Sequence, residues 1–181
     1  MIFSTRRLIL RPCRESDAES PFKYASDPEV GPIAGWPVHR TVEESLEIIR
    51  TVFNDPLTFA VTEKGKDEAI GCIGLMKGDK SNFNITESEA EIGYWLGQPF
   101  WGRGYIPEAM FELIRYGFEE LGLDCIWCGY FDGNVKFLRA QTKCGFKFHH
   151  TNPEAYFELI DANKIEHVTC LRRNEYEAGK S

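Results

Sequence analysis

Apolar and polar positions along the 181-residue chain fall into short blocks whose period changes repeatedly. Residues 6–12 alternate, the spacing of a strand with one face turned inward. Residues 16–25 predict a short helix capped by Ser16 or Asp17. Residues 27–40 hold Pro28, Gly31, Pro32, Gly35 and Pro37 and read as a loop. Thr41-Val42-Glu43-Glu44 is a capping box, after which Leu46, Ile49 and Phe53 recur at helical spacing as far as Asn54-Asp55-Pro56. Two apolar runs, 57–63 and 69–76, flank Lys64-Gly65-Lys66-Asp67 and predict a hairpin. A polar loop over 77–86 leads to a third strand over 88–96. The clearest helix spans 107–121. Met110, Leu113, Ile114, Gly117, Phe118 and Leu121 share one face, Pro107 suits the first turn and Gly122 the stop. A strand over 125–131, a helix over 134–143 and three closing strands over 146–150, 156–160 and 165–172 complete the reading.

This order mixes helices and strands without strict alternation, which predicts one α+β domain over residues 1–181 built on a central mixed sheet. Hydrophobic residues at 43% and charged residues at 27% are ordinary for a globular chain and exclude disorder and a disulfide-stapled miniprotein. Net charge is −7, which argues against nucleic acid as a partner and favours cationic small molecules or basic peptides. The first residues show no apolar signal segment, and no run approaches the ~20 residues of a membrane helix. A cytoplasmic protein with no membrane partner is the expectation, and a homodimer stays open. Of six cysteines, Cys125 and Cys128 form a CxxC pair. On a strand, positions three apart face opposite ways and no second pair completes a ligand set, so buried thiols and no metal are expected. Gly179-Lys180-Ser181 imitates the end of a phosphate-binding loop, but no glycine loop precedes it and it reads as tail.

The stretch Ala90-Glu-Ile-Gly-Tyr-Trp-Leu-Gly-Gln-Pro-Phe-Trp-Gly-Arg-Gly-Tyr-Ile-Pro-Glu-Ala109 reads as strand, glycine turn, helix. Gly102 and Gly104 let the backbone aim successive N–H groups at one point. The first helical turn adds unpaired N–H groups and the positive end of a dipole, and Arg103 adds a charge. Together they suit a pyrophosphate. The missing third glycine and the antiparallel run upstream argue against a dinucleotide-binding unit.

Trp101-Gly-Arg-Gly-Tyr-Ile106 resembles the acetyl-CoA pyrophosphate loop of the GNAT N-acetyltransferases. Asn134-Val-Lys-Phe-Leu-Arg-Ala-Gln-Thr-Lys-Cys-Gly-Phe146 resembles their later motif, an Asn, a helix and then Gly-Phe. The opening Arg6-Arg-Leu-Ile-Leu-Arg-Pro12 and the late Leu171-Arg-Arg-Asn-Glu-Tyr176 are similar to the ends of the branch that acetylates ribosomal-protein N-termini. The resemblance implies a sheet splayed at its middle, helices on both faces, and acetyl-CoA as co-substrate. It places the pantetheine arm against Trp95 and Leu96, the pyrophosphate on Trp101, Gly102, Arg103, Gly104, Tyr105 and Ile106, and Asn134 beside the pantetheine. It also makes the loop at 27–36 and the helix after it one wall of the acceptor site, with Trp36 as a candidate substrate contact; Tyr94 and Tyr130 are separate candidates for orienting substrate, with aromatic packing as their other role.

Three positions depart from the family pattern. Ile106 replaces the usual small residue, and either crowds the phosphates or points into the helix core. Phe137, counted among the cofactor contacts, stands where the branch has Ser, and Gln141 where other branches have a Tyr acid. A thiol with a pKa of about 8.5 leaves without such help. The amine, by contrast, must lose a proton, and a protein N-terminus near pKa 8 needs less assistance than an alkyl amine. Glu91, four residues before Trp95 where the family often has a carboxylate, is the first candidate base. Adjacent His149 and His150 are expected to point opposite ways from a strand. The implied activity is acetyl transfer to a primary amine, either a protein N-terminus or a small cationic amine, by direct attack in a ternary complex. The alternative from another class is a non-catalytic CoA-binding sensor or interaction module on the same fold.

Overall fold

The computed structural model describes residues 1–180; Ser181, the last residue of the tail tripeptide, lies outside the described residues. Eight strands form one mixed sheet in the order β1-β2-β3-β4-β5-β6-β8-β7. The chain divides into two compact units, one of residues 1–74 and 94–109, the other of residues 75–93 and 110–181.

In the first unit β1 (Phe3–Ser4), β2 (Leu8–Pro12), β3 (Thr58–Glu63) and β4 (Gly71–Met76, its last two residues in the second unit) pair antiparallel in sequence. Alternation puts Leu8, Leu10, Phe59 and Val61 inside. The first helix, α1 (Glu19–Ala25), begins later than its sequence suggests. Asp17 does not cap it but turns inward, where both carboxylate oxygens meet the Arg11 guanidinium at 2.6 and 2.8 Å. Arg11 is thereby salt-bridged and only 2% exposed. Helix α2 (Val42–Thr51) forms half of the expected capping box: Thr41 Oγ1 accepts from Glu44 N, while the Glu44 carboxylate accepts from Arg40 N, one residue before the cap, rather than from Thr41 N.

In the second unit β5 (Glu89–Leu96, its last three residues in the first unit) runs parallel to β6 (Cys125–Phe131), which pairs antiparallel with β8 (Ala162–Arg172) and through it with β7 (Lys147–Phe157). The three expected closing strands are therefore two long ones. Pro153, in the gap between the first two expected strands, lies within a register shift between Asn152 and Ala155 on β7, a strand at the sheet's edge where a missing N–H costs no ladder bond. A second shift, between Phe148 and His150, brings the two adjacent imidazoles together, Nδ1 to Nδ1 at 2.8 Å, instead of turning them apart. Helix α3 (Tyr105–Glu119) starts two residues before Pro107, and α4 (Val135–Lys143) starts just after Asn134. The sequence reading missed α5 (Arg173–Ala178), whose Arg173 donates to the carbonyls of Phe118 and Leu123 and whose Tyr176 ring stacks on Phe118.

Candidate active site

The loop at 97–106 is built in the first unit. Trp101 Nε1 donates to the carbonyl of Leu96 at the end of β5 at 2.7 Å, and Gly97 N donates to the carbonyl of Ile70, just before β4, at 2.8 Å, so both ends of the preceding turn are tied to backbone. Gly102 and Gly104 then take φ of 74° and 75°, a left-handed conformation that explains glycine at both positions. The N–H groups of Gly102, Arg103, Gly104, Tyr105 and Ile106 donate to no acceptor among the described residues. Five successive free amides at the start of a 15-residue helix fit an anionic diphosphate by number, kind and helix polarity. Of the two orientations open to Ile106, the structure shows the inward one: the side chain is 8% exposed. The bulk of this residue is thus absorbed by packing while its N–H stays available. Arg103 lies over the Phe100 ring at 5.4 Å, with its guanidinium exposed.

Four residues to which the sequence assigns no part in the loop, Thr5, Arg7, Glu63 and Glu108, hold it in place. Glu108, in the first turn of α3, accepts from Thr5 Oγ1 at 2.6 Å and from Arg7 N and Nε at 2.7 Å each. Arg7 also donates to the Arg103 carbonyl and lies over the Tyr105 ring, whose hydroxyl donates to Glu63. Burial alone would push the Glu108 carboxyl up, yet the bonds from Thr5 and Arg7 hold it below its ordinary range. The available signal was an acid in a helical first turn, where the dipole favours negative charge.

Upstream of the loop, Trp95 is 6% exposed, and its indole N–H has no acceptor among the described residues. Trp36 packs edge-on against it at 5.8 Å and also meets the His39 ring at 5.1 Å. Gly31 makes room for this, since a Cβ there would stand 2.6 Å from the Trp36 ring. His39 bonds Ser45 Oγ through Nδ1, and burial pushes its pKa down. Tyr94 and Leu96 are buried.

Glu91 sits in the second unit, 6% exposed. Ser81 Oγ and Asn82 N donate to its Oε2, and Asn82 Nδ2 to its Oε1. Burial raises its pKa, and the Asn82 and Ser81 bonds oppose that rise. A carboxylate has about four lone-pair sites, so Oε1 retains capacity to take a proton.

Comparisons with known proteins place the chain in a family. The model of the acetyltransferase (GNAT) domain matches residues 7–147. The chain belongs to the GNAT acetyltransferase family. It is 35% identical over 127 residues to the uncharacterized N-acetyltransferase p20 of Bacillus licheniformis, covering 67% of this chain and 68% of that protein. It is 24% identical over 163 residues to the FsC-acetyl coenzyme A-N(2)-transacetylase of Aspergillus fumigatus, covering 87% and 68%. A GNAT-family acetyltransferase structure from Bacillus anthracis superposes with a TM-score of 0.84 at 22% identity, over 96% of this chain and 99% of that one.

The later GNAT motif forms as expected in outline. Asn134 caps α4, its Oδ1 accepting from Phe137 N at 3.2 Å, so the Phe137 backbone rather than its ring carries that bond. Gln141, at the position where other GNAT branches have Tyr, is fully buried; it donates to Gly129 O and accepts from Thr169 Oγ1. Here that position is structural. Tyr130 is half-buried beside His167, ring to ring at 5.0 Å. Cys125 and Cys128 are both buried on opposite faces of β6, burial pushing the Cys125 thiol up to about 12. No group of three or more His, Cys, Asp or Glu able to hold a metal occurs among the described residues.

Proposed function

We propose that the chain is an acetyl-CoA-dependent N-acetyltransferase acting on a primary amine, with the amides of residues 102–106 holding the diphosphate of the donor. The observation that carries this reading is the run of five amides without acceptors beside two left-handed glycines. The transacetylase relative, whose name specifies acetyl coenzyme A, supports the choice of donor. Bound acetyl-CoA supplies an activated acyl group whose thiolate leaves unaided near neutral pH. The chain's own contribution is to fix the donor through the loop and to take the proton that the acceptor's ammonium must lose. Glu91 is the residue proposed for that proton, directly or through a water. Ile106 is turned into the core rather than over the phosphates, so its bulk gives no support to the non-catalytic alternative.

The test has two parts. Thiol release from acetyl-CoA over a panel of amines and free-N-terminus peptides should depend on the acceptor; saturable CoA binding with no acceptor-dependent release would point to the binding module instead. Separately, Gly104→Val puts a β-branched residue at φ 75° and costs about 1–3 kcal/mol, so the acetyl-CoA Kd should rise about ten- to a hundredfold. Calorimetry showing wild-type affinity in this variant would remove the loop assignment.

A further inference from the structure

On one face of the second unit, three strands place two buried carboxylates at a common patch. Glu91 on β5 is in register with Trp127 on β6, and Glu166 on β8 is in register with Phe131, four residues along β6 on the same face. Glu166 is 8% exposed; Asn152 Nδ2 donates to its Oε2 at 3.2 Å, and its Oε1 accepts from none of the described residues. That oxygen lies over Gly129: a Cβ there would stand 2.6 Å from it, so the bare glycine is what admits the carboxylate. Neither glutamate has an ion-pair partner among the described residues. Buried carboxylates ordinarily have a counter-charge. Between them on the same strand face, the Trp127 indole N–H is buried and has no acceptor among the described residues. The patch is thus short of one cation and one hydrogen-bond acceptor.

We propose that Glu166 is an acceptor-binding residue: with Glu91 it supplies the counter-charge for a primary ammonium group, and the Trp127 N–H takes the oxygen that accompanies that ammonium. The acceptor class is then an amine carrying a carbonyl or hydroxyl oxygen next to the amino group. An N-terminal aminoacyl residue and an amino sugar share this chemistry. A plain alkylamine lacks the oxygen, and an already acetylated amine lacks the charge. The inference rests on the reading of the chain as an amine acetyltransferase.

Calorimetric titration of the CoA-loaded protein tests it without requiring turnover. The probes are a free-N-terminus serine tetrapeptide and glucosamine, with the N-acetylated form of each and n-butylamine as controls. At least one of the two probes should bind, and binding should weaken about tenfold or more in Glu166→Gln, which keeps the shape of the side chain and removes its charge. Gly129→Ala, which crowds Oε1, should weaken the same probe, while CoA affinity stays at the wild-type value in both variants. Whichever probe binds identifies the source of the amine. Equal probe affinity in wild type and Glu166→Gln, or no binding of either probe to wild type, overturns the assignment. If that happens while other amines still drive thiol release, the acetyltransferase reading stands and only the role of Glu166 falls. Loss of CoA binding by the wild-type protein would instead sink the broader reading.

Discussion

Replacing Glu91 by Gln should lower kcat by about a hundredfold or more while leaving the acetyl-CoA Kd unchanged. The size follows from what a positioned general base contributes, about 10²–10⁴ in rate. The separation of the two constants follows from where the residue sits. Among the described residues the Glu91 carboxylate accepts from Ser81 and Asn82, and from none of the amides at residues 102–106. Gly104→Val should show the opposite split, with affinity for the donor lost first. Steady-state kinetics with the donor and acceptor varied in turn, beside calorimetry of CoA binding, reads both. A Glu91→Gln enzyme with wild-type kcat would leave Glu91 as no more than the anchor of the 81–82 turn.

The same carboxylate sets a pH signature. Burial raises its pKa above the ordinary carboxylate value, the Asn82 and Ser81 bonds notwithstanding. Below that raised pKa Glu91 is protonated and cannot take a proton, so kcat/KM for the amine should climb with pH through a carboxylate limb that is absent in Glu91→Gln. The stability contribution has the opposite sense. Because the folded state binds this proton more tightly than the unfolded chain, the favourable contribution is complete below the unfolded pKa and is lost as pH rises through the folded one.

Local chemistry made the loop legible in the sequence. Two glycines at left-handed φ before a helix are a requirement that few other residues can meet, and Trp101 to Ile106 display it in six positions. The meander of β3, β4 and β5 and the amphipathic face of α3 were equally readable, since each depends on neighbours within a few residues. Long-range pairing was not. Glu91, Gly129 and Glu166 share a strand face only because β6 lies between β5 and β8, and no local pattern reports that Trp127 loses its acceptor there. The continuity of β7 through Pro153 is not legible locally, because whether a proline breaks a strand depends on whether that strand is an edge. Nothing local in residues 6–12 reports that Arg11 is buried; the inward turn of Asp17 makes it a core residue.

That turn carries the largest expected effect on stability. Asp17→Ala should destabilise the protein by about 3 kcal/mol, at the low end of the 3–5 kcal/mol cost of breaking a buried ion pair. Arg11 is 2% exposed and Asp17 5%, so the guanidinium left behind cannot turn to water for its two lost bonds. The lower end applies because Asp67, whose side chain is 74% exposed, still accepts from Arg11 Nε at 2.9 Å and its carbonyl from Nη2 at 2.8 Å. The Arg14 amide, which donates to Asp17 at 2.8 Å, loses its acceptor as well. For a chain of this length the cost corresponds to a fall in Tm of roughly 6–12 °C, readable by scanning calorimetry. Arg11→Met with Asp17→Leu should recover most of the loss, because two apolar side chains leave no charge to pair. If Asp17→Ala melts within a degree or two of wild type, Arg11 has another route to solvent or to a counter-ion, and the pair does not hold β2 to the segment that opens α1.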